Sequence, residues 1–209
     1  MGIDRTMRNY VRFAAIALAA AIGFAHPAAA QDRSGFFQTL FEGNQNRSSA
    51  KYPTRSDKSP IPRKVVRYDG NHGPGTIIVN TSERRLYYTL GNGKAIKYGV
   101  GVGREGFAWS GTNRISRKAE WPGWTPPPQM IRREAAKGRK LPAYMPGGPE
   151  NPLGARALYI GSTLFRIHGT NQPWTIGQAM SSGCIRMANE DVVHLYNQVD
   201  VGARVVVVH

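Results

Sequence analysis

The chain has 209 residues, with 28 lysines and arginines against 13 aspartates and glutamates, a formal net charge of +15 at pH 7, and one cysteine. A single cysteine excludes an intramolecular disulfide framework, and the length suits one domain with a tail rather than several domains. The charge favours polyanionic partners but serves solubility equally well, so it excludes no function class by itself.

Taken in chain order, the first element is a leader. Arg5, Arg8 and Arg12 precede an apolar run from Phe13 to Ala25, and Ala28-Ala29-Ala30 offers a small-residue cleavage site. Residues 1–30 therefore read as a secretory signal peptide cleaved near Ala30. The apolar run falls short of the roughly 20 residues that a spanning helix needs, so no stable membrane anchor is expected. The expected location is the periplasm or cell envelope, where the available anions are phospholipid head groups, lipopolysaccharide and the carboxylates of peptidoglycan stems. Residues 31–72 are basic, poor in apolar residues and carry Pro53, Pro60 and Pro62, which predicts a mostly disordered tail. Such a tail either holds the protein near an anionic wall or acts as a spacer.

From residue 73 to 209 the pattern is that of one β-rich domain. Strands are predicted at Thr76–Asn80, Arg85–Leu90 and Lys94–Val102, with Gly91-Asn92-Gly93 as the hairpin turn. Further strands are predicted at Asn113–Glu120, Ala155–Ile160, Leu164–His168 and Arg204–Val208, the last an almost wholly apolar run that reads as buried. Pro128 can open a short helix to about Ala136. Asn189 can cap a second, with Val192, Leu195, Tyr196 and Val199 as its apolar stripe and Asp191, His194 and Gln198 facing solvent. The fold class is mainly β, a sandwich or partly closed barrel with a few peripheral short helices.

An unpaired thiol in an oxidising compartment is at risk, so chemistry accounts for Cys184 better than packing does. His168 ends a strand sixteen positions earlier, where its ring can project from a rigid element into a cleft. An ordinary thiol is mostly protonated at neutral pH, so attack on a carbonyl needs a neighbouring imidazole to take the proton or to stabilise the thiolate as an ion pair, and His168 can do either. Gly183 permits close backbone approach for an oxyanion hole. Ser181 and Ser182 can hold the loop or bind substrate. Arg186 either favours the thiolate, binds a substrate carboxylate, or pairs structurally with Asp191 or Glu190. Trp174 contacts the substrate or is simply packed. Trp109, Trp121 and Trp124, with Thr125-Pro126-Pro127-Pro128, suggest a stiff loop able to wall the cleft.

His168-Gly169-Thr170, followed by Ser182-Gly183-Cys184-Ile185-Arg186, resembles the signature of the L,D-transpeptidase catalytic domain, the YkuD family. Pro152-Leu153-Gly154 before the Ala157–Ile160 strand is similar as well, and the likeness runs from about Gly75 to Val208. The resemblance implies cleavage between the L-centre of the third residue of a peptidoglycan stem and D-Ala at position four, through a thioester on Cys184. An amine of another stem, or of an outer-membrane protein, then resolves it; water makes the enzyme a carboxypeptidase. His168 is then the proton acceptor and donor, the Gly169 carbonyl orients it, and backbone amides around Gly183 and Cys184 form the oxyanion hole. Many relatives have histidine at Ser182 and asparagine at Arg186, which bears on acceptor preference.

No cofactor or metal is expected, because no zinc spacing or nucleotide fingerprint occurs, and no nucleic-acid partner is expected. Two rivals remain at this level. One is another exported thiol acyltransferase or peptidase, such as a sortase-like enzyme; the other is a non-catalytic basic wall-binding protein, which leaves the Ser-Gly-Cys motif without a purpose.

Overall fold

The computed structural model describes residues 58–105, 107 and 109–209. The expected signal peptide and residues 31–57 of the expected tail lie outside the described residues. Eleven strands and two α-helices follow in order: β1 (Lys64–Arg67), β2 (Ile77–Asn80), β3 (Arg85–Gly91), β4 (Lys94–Gly99), β5 (Val102–Gly103), β6 (Gly111–Glu120), α1 (Pro128–Ala135), β7 (Arg156–Ile160), β8 (Arg166–His168), β9 (Ala179–Ser181), β10 (Ile185–Arg186), α2 (Asn189–Gln198) and β11 (Arg204–Val208).

Nine strands form one open sheet in the order β1-β4-β3-β2-β11-β6-β7-β8-β10, and β5 and β9 form a small second one. The mainly β class expected from the pattern is what forms. β11 sits at the centre, parallel to β2 and antiparallel to β6. Its run of valines explains the position: Val205, Val206 and Val207 are all buried, as a strand covered on both faces requires. β6 then hands the sheet on. Its first residues pair with β11, and from Ile115 onward it pairs with β7, with a register shift between Ile115 and Arg117, so a bulge bends one long strand between the two halves of the sheet. Their inner residues meet in one core, including Ile77, Leu86 and Tyr98 from one half and Leu158, Ile160 and Ile167 from the other, closed by Val192 and Leu195 of α2. Each such aliphatic side chain contributes roughly 1.5–3 kcal/mol on burial.

Three features differ from the sequence reading. First, ordered pairing begins before Gly73: β1 lies antiparallel to β4, with Lys64 opposite Lys97. β1 is held by backbone bonds and leaves Val65 61% exposed, so it carries no apolar signal. The residues ahead of it are anchored too, through Ser59 N–H to Glu190 Oε1 at 3.0 Å and Arg63 to Asp191 at 2.9 Å.

Second, α2 is not capped by Asn189. Ala188 occupies the cap position without a side-chain bond, and Asn189 Oδ1 instead accepts the N–H groups of Ala155 (3.0 Å) and Thr170 (3.2 Å). This ties α2 to the segments flanking β7 and β8. Gly154, at φ +63, is required there, since a Cβ would lie 2.3 Å from that same Oδ1 and 2.4 Å from Thr170 N.

Third, the face of α2 expected in solvent is partly covered. Asp191 is fully buried against Arg63, and burial raises its pKa while the guanidinium opposes the rise. His194 Nδ1 shares a 2.8 Å hydrogen bond with Tyr98 Oη. Contacts from β4 and from residues ahead of β1 make these polar groups interior, and helical periodicity cannot register them.

Candidate active site

β8 and β10 are adjacent parallel strands, with Ile167 opposite Ile185 and His168 opposite Arg186. Met187 N–H donates to His168 O at 2.8 Å, and Gly101 exchanges both backbone bonds with Arg186. The two halves of the sequence motif are thereby fixed side by side. His168, Cys184 and Arg186 all line one cleft of about 330 Å³. α1 contributes Gln129, Met130 and Arg133 to its walls, the Pro-rich loop Trp124 and Pro127, and the stretch before β7 Pro152 and Leu153.

The loop that presents Cys184 is clamped from within. Ser181 Oγ donates to Cys184 O at 2.6 Å and accepts Gly183 N–H at 3.1 Å. Gly183 has φ +105, and a Cβ on it would sit 2.4 Å from Phe165 Cε1 and 3.0 Å from Phe107 O. Glycine is therefore demanded twice, by backbone conformation and by space. Trp109 adds an outer brace: its Nε1–H donates to Gly183 O at 3.1 Å while its ring stacks on Phe165, centroids 4.8 Å apart. The Cys184 thiol is half-buried and directs Sγ toward Leu164 O at 3.8 Å. Gly183→Ala is expected to fold but slow acylation about 10²-fold, the scale of a 1 Å misplacement; burst kinetics on an acylating β-lactam measure it, and a wild-type rate would refute the clamp.

His168 is 4% exposed. Its Nδ1 lies 2.6 Å from Gly169 O, and because a carbonyl only accepts, Nδ1 carries the hydrogen and Nε2 keeps its lone pair. Burial pushes its pKa down to about 3, and the charges of Arg186 and Arg166 act in the same direction against backbone hydrogen bonds to Gly169 and Leu153. The imidazole is thus neutral at rest. A depressed pKa contributes stability above the unfolded value near 6.5 and loses it as pH falls toward the folded value. Accordingly the His168 ring resonances should stay in the neutral form from pH 8 down to pH 5; a titration centred near 6.5 would overturn this assignment.

Arg186 is 5% exposed, and its pKa falls to about 10 through burial, with Cys184 opposing the fall and Arg104 adding to it. The structural pairing considered from sequence does not form, because Asp191 binds Arg63 and Glu190 binds Ser59 N–H. Ser181 lines the cleft and is buried, with its hydroxyl engaged within its own loop, the loop-holding role weighed from sequence. Trp174 lies in a 3-10 turn, Pro173–Thr175, and is absent from the cleft lining, since Gly177 N–H bonds to Val100 O and draws this segment toward β4. Gly183 N–H is likewise engaged, which leaves Cys184 N–H, without an acceptor among the described residues, as the amide open to an oxyanion. Ser182 does line the cleft, and its Oγ accepts a 3.2 Å hydrogen bond from Arg133.

Arg133, Arg166, Phe107 and Phe165 also line the cleft and were not foreseen. Arg133 reaches it from α1, far from the motif in sequence; only the absence of an acidic partner on the same helix face offered any signal, and Glu134 beside it obscures that. With Arg186, three arginines and no carboxylate among the described residues border the cleft, an arrangement suited to a substrate bearing carboxylates. Among the described residues, no three His, Cys, Asp or Glu side chains gather to hold a metal ion.

A family model described as the L,D-transpeptidase catalytic domain, YkuD, matches residues 74–207. The probable L,D-transpeptidase ErfK/SrfK of Escherichia coli strain K12 is 42% identical over 137 residues, 63% of this chain and 43% of its own length. The chain therefore spans less than half of that curated relative. A Brucella melitensis crystal structure described as a probable carnitine operon oxidoreductase is 44% identical, covers 72% of this chain and 96% of its own, and has a TM-score of 0.48. An L,D-transpeptidase structure from Mycobacterium smegmatis, 14% identical, covers 64% of this chain and 58% of its own with a TM-score of 0.52, a likeness of fold. With the motif, its strand placement and the family model coinciding over the same residues, this chain belongs to the YkuD family of L,D-transpeptidase catalytic domains.

Proposed function

We propose that this chain is an exported peptidoglycan L,D-transpeptidase acting in cell-wall biogenesis from the periplasmic side of the envelope. The observation that carries the reading is the convergence of Cys184, His168 and Arg186 in one arginine-rich cleft on strands β8 and β10. No helix among the described residues is long and apolar enough to cross a membrane.

The residues lining the cleft support the following course. Sγ of Cys184 attacks the carbonyl carbon of the third stem residue as its proton passes to Nε2 of His168. The oxyanion takes the Cys184 N–H, and collapse breaks the C–N bond to D-Ala, whose amine receives the proton from the imidazolium. An acceptor amine then attacks the thioester, gives its proton to Nε2, and the proton returns to Sγ. Arg186 attracts the thiolate and repels the imidazolium, so it favours the nucleophile and makes His168 a strong acid toward the departing amine. Arg133 and Ser182 border the same space and are positioned for a stem carboxylate.

The thioester is resolved by a stem-peptide amine, giving a 3→3 cross-link, or by an amine of an outer-membrane protein; a free D-amino acid or water gives exchange or hydrolysis instead. The test is incubation of the purified chain with disaccharide-tetrapeptide, followed by mass spectrometry. Release of D-Ala with 3→3 dimers supports the reading, release of D-Ala alone indicates hydrolysis, and unchanged tetrapeptide refutes it.

A further inference from the structure

A second cavity, separate from the catalytic cleft, lies on another part of the sheet. It encloses about 380 Å³ and is lined by Arg63, Lys64, Arg85 and Lys97 over a floor that includes Ile61 and Tyr98. Among the described residues no carboxylate lines it, and it shares no lining residue with the catalytic cleft. The catalytic strands end the sheet at β10, whereas this cavity sits on β1, β4 and β3 at the other end of the strand order.

The backbone brings these cations together. Lys64 and Lys97 are direct cross-strand partners, and Tyr87, two residues after Arg85 on β3, is the partner of Lys97 on its other side. Like charges placed directly opposite destabilise a sheet. A lysine on an edge strand has an ordinary purpose, since it discourages edge-to-edge pairing. That purpose accounts for Lys64 on β1, yet not for Lys97 on the second strand or Arg85 on the third, which converge on the same space. Among the described residues neither Lys64, Arg85 nor Lys97 makes a salt bridge. Arg85 donates only to the Glu83 and Arg84 carbonyls, and Lys97 lies over the Tyr87 ring at 5.6 Å. Arg63 alone has a counterion: Asp191 holds it from behind, leaving its side chain 37% exposed.

We infer that this cavity binds a phosphate group, either free or as part of a phosphate-bearing envelope lipid. A compact polyanion with several acceptor oxygens matches two ammonium groups and two guanidinium forks better than a single carboxylate does. Occupancy relieves the repulsion between Lys64 and Lys97, and from this end of the sheet it leaves the catalytic cleft open.

The full-length chain is titrated with inorganic pyrophosphate by calorimetry and with phosphatidylglycerol or phosphatidylcholine vesicles by flotation, at low salt and at 0.5 M salt. Pyrophosphate binding identifies a free-phosphate site, and flotation with phosphatidylglycerol but not phosphatidylcholine identifies a lipid headgroup site; either weakens with salt. In the variant Lys64→Gln/Arg85→Gln/Lys97→Gln, binding should fall about fivefold per cation, on the order of 100-fold in all, with a melting temperature at or above that of the parent. The control Arg132→Gln/Lys140→Gln/Arg204→Gln removes equal charge from exposed sites elsewhere and should bind as the parent does. The single variant Lys97→Gln reads the same effect if the triple variant is unstable. Absence of binding to both probes, or equal losses in the two triple variants, overturns the assignment.

Discussion

Cys184→Ala should yield a folded protein that gains no mass on exposure to a carbapenem and releases no D-Ala from tetrapeptide stems. The thiol makes no structural bond beyond the long contact to Leu164 O, so its removal leaves the core untouched. In the proposed mechanism acyl transfer depends on it, because no other thiol exists in the chain. Removal of the nucleophile in an acyl-transfer enzyme lowers kcat on the order of 10⁶-fold. Intact-mass spectrometry gives the readout directly: one carbapenem equivalent on the parent and none on the variant. An adduct on Cys184→Ala, or its absence from the parent, removes Cys184 as the nucleophile and leaves the basic wall-binding reading to explain the chain.

His168→Ala should retain the fold and lose acylation by about 10² to 10⁴, the usual contribution of general acid–base catalysis. Unlike the nucleophile variant, it should still acquire the carbapenem adduct on long incubation, and higher pH should recover part of the rate, because hydroxide then takes the thiol proton. The ring is buried and bonded to Gly169 O, so truncation leaves a cavity of small volume at the end of β8. A thermal melt alongside the kinetics therefore separates destabilisation from lost chemistry. Parent-like rates at neutral pH would remove His168 as the proton acceptor.

These two variants test residues sixteen positions apart within one two-part motif, and that is why the sequence alone could name them. The same holds for strands with an uninterrupted pattern: Ile77–Asn80, Arg85–Gly91 and Arg204–Val208 form almost where apolar alternation or an apolar run placed them. β9 and β10 escaped because two or three residues are too few to carry a period. β1 escaped because backbone pairing holds it and its side chains remain largely exposed.

The polar groups show the limit most sharply. Asn189, Asp191 and His194 stand on a helix whose apolar stripe was legible, yet their roles come from Ala155, Thr170, Arg63 and Tyr98, all remote in sequence. By itself the sequence determined the family motif, the candidate pair of Cys184 and His168, and the β-rich class, because each depends on neighbours along the chain or on period. Only the tertiary structure decided which amide is open to an oxyanion, that Ser181 and Trp109 brace the loop of Cys184, that Arg133 enters the cleft while Trp174 does not, and that four cations share a cavity at the far end of the sheet. Those facts follow from strand order and burial, and contacts between residues far apart leave no mark on local pattern.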